Sequence, residues 1–504
     1  MSLKKNVIAN YLGQGWTALM NIAFVPLYIK YLGMEAYGLI GFFSILQAWL
    51  ALLDMGMTPT LSREMARYTA GAHTVQSIRD LLRSLEVICF AIALLIGIVI
   101  FVCASWFSIN WLKVEKLPLD EVAQAITVIG CVVSLRFIES LYRGAIIGLQ
   151  KQVMFNVLNA LLATLRGIGV LGVLAWVSPT IEAFFMWQGI ISVVVVAIFA
   201  SVVHRNLPLP ERTPRFSCNA LKEVWQFARG MMAITFLSLL LMQTDKILLS
   251  RLLSLESFGY YTLAASVCGV LYLLVAPIAQ SYSPRFTELV ARGDTLTLTV
   301  TYHQSAQLVT VLVVPAALVL MFFGENLLVA WTGSEQLATA ASPLVSLLAA
   351  GWMCNALMNP PYMLQIAYGW TSFSVWMNGV AVVLLVPIIF YITPLYGAVG
   401  AASVWMVLNA SYVLVAIHFM HRRLLKEEKW RWYIQDILFP CISASGIVTA
   451  SWLAHPVLLS KISEVIWLIS TGIAAVGAAA MAAPLLRVRI LKWIRNWGSR
   501  GYTA

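Results

Sequence analysis

Stretches of about 20 apolar residues recur along the whole chain, and they restrict the fold more than any other feature. A helix of that length crosses about 30 Å, the thickness of the hydrocarbon core of a bilayer. The stretches are apolar throughout, which favours membrane-spanning helices over the alternating strands of a membrane barrel. The chain is 61% hydrophobic and 11% charged, against the roughly 25% charge of soluble domains. We therefore predict an all-α polytopic membrane protein with about 14 transmembrane helices, at residues 7–29, 38–58, 84–106, 122–147, 153–177, 182–203, 226–250, 259–282, 304–324, 343–366, 373–393, 396–419, 434–455 and 465–484.

Basic residues are distributed unevenly between the two sides of the predicted membrane. If the N-terminus is cytoplasmic, the cytoplasmic segments hold 23 of the 33 Lys and Arg residues and the outer loops hold 5. An excess of Lys and Arg in cytoplasmic loops is the usual determinant of topology. We therefore expect both termini in the cytoplasm. We attribute the net charge of +11 to this orientation and expect no nucleic-acid partner.

Two parts of the chain carry the same residue pattern. The first begins at residue 31 with YLGMEAYGLIGFFSIL followed by TPTLSREM, and the second begins at residue 252 with LLSLESFGYYTLAASV followed by YSPRFTEL. Gly38 in the first corresponds to Gly259 in the second. Further along, the loop around Gln150 corresponds to the loop around Gly369 at an offset of 219 residues. Related bundles in one chain are typical of secondary transporters, whose substrate sites lie near the bilayer midplane.

The duplication divides the chain into four parts. The first six and the next six predicted helices form two lobes, at residues 1–203 and 226–419. Residues 204–225 are polar, contain three prolines and form the predicted cytoplasmic linker. Because six is an even number, the two lobes should have the same orientation and be related by an axis along the membrane normal. Residues 420–504 hold two extra helices and a basic, amphipathic cytoplasmic tail.

Charged residues within the predicted spans of the first lobe indicate a functional site. Arg136, Glu139 and Arg143 are three and four residues apart on the fourth helix and share one face. Arg166 lies 13 residues into the fifth helix, about 20 Å from its cytoplasmic start. Since a charge at the bilayer centre costs about 2.5–3.5 kcal/mol, these groups should face water or a partner. Guanidinium groups match phosphate oxygens, so we predict a cationic cavity for a phosphate or pyrophosphate. The predicted substrate-binding set is completed by Gln14, Gln47 and Arg229.

A second set of charged residues is predicted to act in ion coupling or gating. Glu139 is the first candidate, followed by Asp54 at the cytoplasmic end of the second helix and by Asp245 with Lys246 on the seventh. Structural roles are the alternative. Glu139 would then tie its helix to neighbours through an arginine, and Arg229 would extend its head group to the interface.

Several classes of function are disfavoured by the absence of their motifs. The sequence has no GxxxxGK[ST] loop for nucleotide binding, no HExxH motif and no paired Cys or His clusters of metal-site spacing. Every predicted outer loop is short, which leaves little room for an external catalytic site. We therefore expect a protein that is not an enzyme and that needs no cofactor or metal.

The chain resembles a known family in YLGMEAYGLIGFFSIL followed by LLDMGMTPTLSREMARY, and in QTDKILLSRLLSLESFGYYTLAAS of the second lobe. These motifs are similar to those of the polysaccharide-transporter branch of the multidrug/oligosaccharidyl-lipid/polysaccharide (MOP) exporter superfamily, in particular the O-antigen (Wzx-type) flippases. The resemblance implies alternating access around a cationic central cavity in a bacterial inner membrane, driven by an ion gradient. The positions that match the motifs are Asp54, Gly56, Arg63, Asp245, Lys246, Gly259 and Tyr260.

The implied substrate is an undecaprenyl-pyrophosphate-linked oligosaccharide, an O-antigen or similar surface-polysaccharide repeat unit, moved from the cytoplasmic to the periplasmic leaflet. Membrane lipids, and the polymerase and chain-length regulator of the same pathway, are the other implied partners. One alternative is a cation-coupled exporter of drugs or small molecules from the same superfamily, although such relatives usually stop at twelve helices. Another is a membrane glycan polymerase or ligase.

Overall fold

The computed structural model describes residues 3–54, 56–69, 71, 73–218, 221–222, 236, 239, 243–456, 460–489 and 491–492, except for the side chains of residues 3–11, 14, 51, 371 and 461. Within these residues the chain is all-helical, and its one isolated β-bridge joins Lys113 to Ser254. Eleven of the helices in this part are long and apolar enough to cross a membrane. The predicted all-α membrane class is therefore confirmed. The count of fourteen spans and the cytoplasmic termini stay predictions.

The chain divides into two compact units, residues 1–259 and 260–504. The predicted boundaries of the lobes and the linker stay predictions.

The helices of the first unit are α1 Leu3–Ala23, α2 Val25–Leu53, α3 Met57–Thr69, α4 Val75–Trp106, α5 Leu119–Gly148, α6 Gln152–Trp176 and α7 Ile181–Asn206. The helix α5 packs against α3, α4 and α7, and α1 packs against α6. A π-helical turn at Phe107–Trp111 follows α4.

The first two helices are interrupted where the sequence carries proline or glycine. Pro26 lies in the first turn of α2, where its missing N–H and fixed φ are tolerated. Gly33 has a φ of 84° and divides α2 into two helical parts. The first predicted span, 7–29, therefore corresponds to α1 and the start of α2, and the second begins beyond Gly33. At the other end, α2 and α3 are separated at Asp54–Gly56, where Gly56 has a φ of 75°.

The helix α8 begins in the first unit, and the remaining helices belong to the second. In the second unit, α9 is central, because it packs against α10, α15 and α16. The two helices predicted beyond the duplication are therefore attached to α9. Their contact includes Val311, Phe323, Val448 and Ala479, all buried. The bounds are α8 Leu255–Arg292, α9 Thr295–Thr332, α10 Glu335–Leu357, α11 Asn359–Ala367, α12 Thr371–Ser411, α13 Ile417–Arg423, α14 Lys429–Arg431, α15 Phe439–Leu453 and α16 Lys461–Ala482.

One turn is built identically in both copies of the duplicated pattern. Gln150 follows α5 with a φ of 59°, and Gly369 follows α11 with a φ of 69°. A left-handed residue just after a helix satisfies carbonyls that the helix leaves open. In the first turn, the N–H groups of Leu149, Gln150 and Lys151 donate to the carbonyls of Ala145, Ile147 and Ile146, respectively. In the second turn, the N–H groups of Tyr368, Gly369 and Trp370 donate to the carbonyls of Leu364, Ile366 and Gln365, respectively.

The repeated glycine marks a close contact in the first unit. A Cβ atom on Gly38 would lie 2.2 Å from the carbonyl oxygen of Leu255, and one on Gly259 would lie 2.6 Å from that of Met34. The start of α8 therefore crosses α2 with glycine on both sides. Neither position accommodates a larger residue without movement of the backbone, which accounts for the glycine in both copies of the pattern.

Candidate functional site

The helix α5 carries three charged residues on one side, as the spacing predicts. Glu139 is buried, with only 3% of its side chain exposed, and its two oxygens accept hydrogen bonds from two arginines. Arg143 Nη2 lies 2.9 Å from Oε1, within the same helix. Arg166 Nη2 on α6 lies 3.3 Å from Oε2. The carboxylate therefore joins α5 to α6 through a triad of charges.

Arg136 has a different set of partners, all of them neutral. Its Nη1 donates to Gln47 Oε1 on α2 at 2.6 Å, and its Nη2 donates to Gln188 Oε1 on α7 at 3.1 Å. Its guanidinium carbon lies 4.8 Å from the ring centroid of Phe43, a distance at which a cation and an aromatic face attract. Two amides and a ring orient this arginine, and no carboxylate among the described residues contacts it.

These residues surround a cavity of about 270 Å³. Asp54 and Thr58, at the junction of α2 and α3, form another part of its wall. Both Asp54 oxygens lie 3.1 Å from the backbone N of Thr58, and Oδ1 accepts the Thr58 hydroxyl at 2.7 Å. This geometry caps the start of α3. The lining residues are Gln47, Leu50, Asp54, Thr58, Arg136, Phe137, Glu139, Ser140, Arg143 and Arg166.

Two features of the cavity suit an anion. Three arginines against two carboxylates leave one excess positive charge among the lining residues. In addition, the Nε atoms of Arg136 and Arg166 are buried, and neither has a hydrogen-bond partner among the described residues. A buried donor without a partner costs about 1–3 kcal/mol, and an acceptor that reached these nitrogens would recover that cost.

The structure brings together six of the predicted site residues. Of the remaining four, Asp245 is buried and Lys246 half-buried on the helical residues 243–252, and neither belongs to the described lining of the cavity. The backbone of Gln14 lies on α1, and its side chain is outside the described part. Arg229 lies outside the described residues altogether. The six that line the cavity are Gln47, Asp54, Arg136, Glu139, Arg143 and Arg166.

Sequence reasoning missed three polar contributors to the site. Gln188 orients Arg136, and the signal that could have found it is an amide within the otherwise apolar predicted span 182–203. Thr58 and Ser140 line the cavity with oxygens 3.4 Å apart. Hydroxyl residues are common in membrane helices, where they bond to backbone carbonyls, so no sequence signal distinguishes these two. In the part of the chain that the structure describes, no group of three His, Cys, Asp or Glu residues is placed to hold a metal ion.

The described part of the chain is all-helical, with many apolar spans and a charged cavity among them, which is the architecture of a multi-pass membrane protein. The family described as polysaccharide biosynthesis protein matches residues 3–290, more than half of the chain, and the chain belongs to that family. The MatE family matches residues 231–392. The predicted membership of the MOP superfamily is confirmed by these matches.

One curated relative is an inferred O-antigen transporter of Shigella flexneri. It is 21% identical over 409 residues, which cover 81% of this chain and 95% of the relative.

Two solved structures have a similar fold. A lipid II flippase, MurJ, in an inward closed conformation aligns with a TM-score of 0.68 at 11% identity, covering 94% of this chain and 98% of that one. An inward-facing multidrug-resistance transporter of the MATE family aligns with a TM-score of 0.65 at 14% identity, covering 82% and 96%. At these identities the likeness shows the fold alone.

Proposed function

We propose that this protein is a flippase of the bacterial inner membrane. Its substrate is an undecaprenyl-pyrophosphate-linked oligosaccharide, the repeat unit of O-antigen or a similar surface polysaccharide. The protein moves this lipid from the cytoplasmic to the periplasmic leaflet by alternating access, driven by an ion gradient. The family and the O-antigen transporter of Shigella flexneri support the substrate class.

The observation that carries this proposal is the arginine-lined cavity of the first unit. A pyrophosphate has several oxygens in a fixed array, which suits forked guanidinium donors better than point charges. The buried Nε donors of Arg136 and Arg166 have no partner among the described residues, and a movement of these side chains on binding would let such oxygens satisfy them. Arg143, with 45% of its side chain exposed, is the most accessible of the three and would contact the substrate first.

Competition for the arginines gives Glu139 a role in the transport cycle. Arg143 and Arg166 bond to Glu139 in this structure, and a bound pyrophosphate would compete for both. A carboxylate that loses its cationic partners takes up a proton more readily. Glu139 would therefore accept a proton as the substrate binds and release it when the arginines return. Asp54, capped by Thr58 at the junction of α2 and α3, would govern access to the same cavity.

The alternative function is export of drugs or small molecules, which the fold of the MATE transporter makes possible. An exporter of cationic drugs needs negative charge at its site, whereas the described lining here has an excess of positive charge. The charge of the cavity therefore favours the flippase.

The test uses the native organism with the gene deleted. We expect surface polysaccharide to be lost and completed lipid-linked repeat units to accumulate in the inner leaflet. Wild-type protein should reverse both effects, and Arg166→Ala should reverse neither although it reaches the membrane. The matched control is Arg67→Gln, an exposed arginine that bonds to Glu64 at 3.1 Å on α3. Repeat units that reach the outer leaflet but remain unpolymerised would point to a polymerase, and unchanged polysaccharide with altered drug sensitivity would point to an exporter.

A further inference from the structure

A second cavity, of about 380 Å³, lies at the ends of α4 and α7 that we predict to be cytoplasmic. Among the described residues, it shares no lining residue with the arginine-lined cavity. Its described lining consists of Arg79, Leu82, Arg83, Glu86, His204 and Pro214. Two arginines against one carboxylate give this cavity an excess of positive charge.

The carboxylate of this cavity is fully engaged and holds its basic residues in place. Only 5% of the Glu86 side chain is exposed. It accepts the hydroxyl of Tyr142 at 3.0 Å and lies 3.1 Å from His204 Nε2. Arg83 Nη1 lies 3.5 Å from its other oxygen. Glu86 therefore orients Arg83 and His204, while 54% and 44% of their side chains stay exposed.

The polar segment after α7 forms a fixed wall of the cavity. Arg79 donates to the carbonyls of Pro208 at 2.9 Å, Leu207 at 2.7 Å and His204 at 3.1 Å. Asp80 holds the next part of the segment through Arg212, at 3.0 Å. A site built from α4, α7 and this segment is therefore preorganised, and a ligand would lose little free energy in ordering it.

The exposed face of α4 continues from Arg83 as an apolar track. Val87, Phe90 and Leu94 follow it at spacings of four, three and four residues, and are 42%, 47% and 66% exposed. Residues at this spacing share one helical face. The track lies within the predicted span 84–106, where an exposed apolar face would meet the hydrocarbon of the bilayer. Arg83 directly precedes that span, at the predicted level of the head groups.

From this arrangement we propose that the second cavity is a binding site for an anionic phospholipid. Arg83 and His204 bind the head-group phosphate, and an acyl chain lies along Val87, Phe90 and Leu94. Basic pockets between membrane helices on the cytoplasmic side are suited to anionic lipid head groups. A soluble phosphate would match the basic residues but would make no use of the apolar track. The proposal does not depend on which substrate the transporter moves.

Lipid binding to the purified full-length protein tests this site. Phosphatidylglycerol, phosphatidylcholine and inorganic phosphate are added separately to the protein in neutral detergent, and bound molecules are counted by native mass spectrometry. We expect phosphatidylglycerol to bind at least fivefold more tightly than phosphatidylcholine. Arg83→Gln should remove that preference, and raised salt should weaken it because exposed charges are screened.

The matched control is Arg67→Gln. Arg67 and Arg83 each lie three residues from a buried glutamate that also contacts a histidine, and they are 49% and 54% exposed. Arg67 does not line this cavity in the described part of the chain. Its removal should leave phosphatidylglycerol binding unchanged. If Arg83→Gln does not purify as a folded protein, His204→Gln replaces it, and we expect a weaker preference for phosphatidylglycerol.

Three results would overturn the proposal. The first is unchanged phosphatidylglycerol binding in a folded cavity variant. The second is an equal loss in Arg67→Gln, which would indicate a general effect of surface charge. The third is inorganic phosphate binding as tightly as phosphatidylglycerol at Arg83, which would make the ligand a soluble anion.

Discussion

The two copies of the duplicated pattern share a backbone design but differ in charge. In both, the same three hydrogen bonds close the turn at Gln150 or Gly369, and the next helix begins 219 residues apart, at Gln152 or Thr371. At the same offset the charges of the first copy are absent from the second. Arg136, Glu139, Arg143 and Arg166 correspond to Asn355, Met358, Tyr362 and Leu385.

This difference separates the repeated backbone features from the charged residues that we propose bind the substrate. A turn and an apolar span place no charge in the membrane, whereas each charge within the membrane raises the free energy of the protein unless it is paired or hydrated. Asn355 still bonds to Asn409 at 2.9 Å, so the second copy keeps a neutral polar contact where the first has Arg136 and Gln188. We infer that the phosphate-binding chemistry belongs to the first copy.

The second difference is a break in one helix. In the first copy, α2 and α3 are separated at Asp54–Gly56, whereas in the second the corresponding helix α8 runs from Leu255 to Arg292 with prolines at 277 and 284. The break brings Thr58 close to Ser140 on α5 and lets Asp54 line the cavity. The cavity therefore depends on a local interruption as well as on the charges.

The largest expected effect comes from replacing an arginine of the first copy by its counterpart in the second. Arg166→Leu and Arg136→Asn should each weaken binding of a polyprenyl pyrophosphate to the purified protein by about ten- to a hundredfold, because each removes charged hydrogen bonds worth about 1.5–3 kcal/mol. Titration of the lipid in detergent measures the change. Leu385→Met is the control in the second copy, and an equal loss of binding there would show that the effect is not specific to the arginines of the first copy.

Glu139→Met makes the same exchange for the carboxylate and should act in two directions. It leaves Arg143 and Arg166 without their acceptor and should lower stability by about 2–3 kcal/mol, less than for a fully buried pair because Arg143 is half exposed. It should also tighten pyrophosphate binding, since one negative charge leaves the cavity. Thermal unfolding and the same titration measure the two effects. Weaker pyrophosphate binding in a folded Glu139→Met protein would contradict this account.

A smaller effect is expected where the interrupted α3 packs on α5. A Cβ atom on Gly148 would lie 2.3 Å from the Ser62 carbonyl oxygen, so Gly148→Ala should lower stability by about 1–3 kcal/mol. The counterpart in the second copy is Ala367, which has no such constraint. Ala367→Gly should cost less than about 1 kcal/mol, because Ala367 is the last residue of α11 and the helix propensity of an interior position applies there only in part. Thermal unfolding of both variants tests this contrast. Equal unfolding midpoints for the two variants would contradict the larger effect expected at Gly148.

The smallest effect concerns the shared turn. Gln150 adopts a φ of 59°, which costs a residue with a Cβ atom about 1 kcal/mol relative to glycine. Gln150→Gly should therefore stabilise the protein slightly, and Gly369→Ala should destabilise it by a similar amount. Opposite shifts of the unfolding midpoint would support an equivalent geometry in both copies, and shifts of the same sign would argue against it.

The sequence predicted those features that depend on local pattern. Apolar runs predicted the helical class, and the correspondence of the loops around Gln150 and Gly369 is confirmed by the matching backbone of the two turns. The sequence could place Arg166 on its helix but could not predict its bond to Glu139, because the rotation of α6 against α5 depends on packing. Gln188 was missed for the same reason, since a single amide in an apolar helix does not reveal what it contacts.

Direct measurement of lipid movement tests the central claim, that the arginines of the first copy carry a lipid-linked pyrophosphate across the membrane. The full-length protein is reconstituted into liposomes with a fluorescent polyprenyl-pyrophosphate oligosaccharide, and an impermeant quencher reports the fraction in the outer leaflet over time. We predict that wild-type protein and Arg67→Gln exchange the lipid between leaflets, and that Arg166→Leu is at least tenfold slower at equal incorporation. Exchange by Arg166→Leu at the wild-type rate would contradict the account.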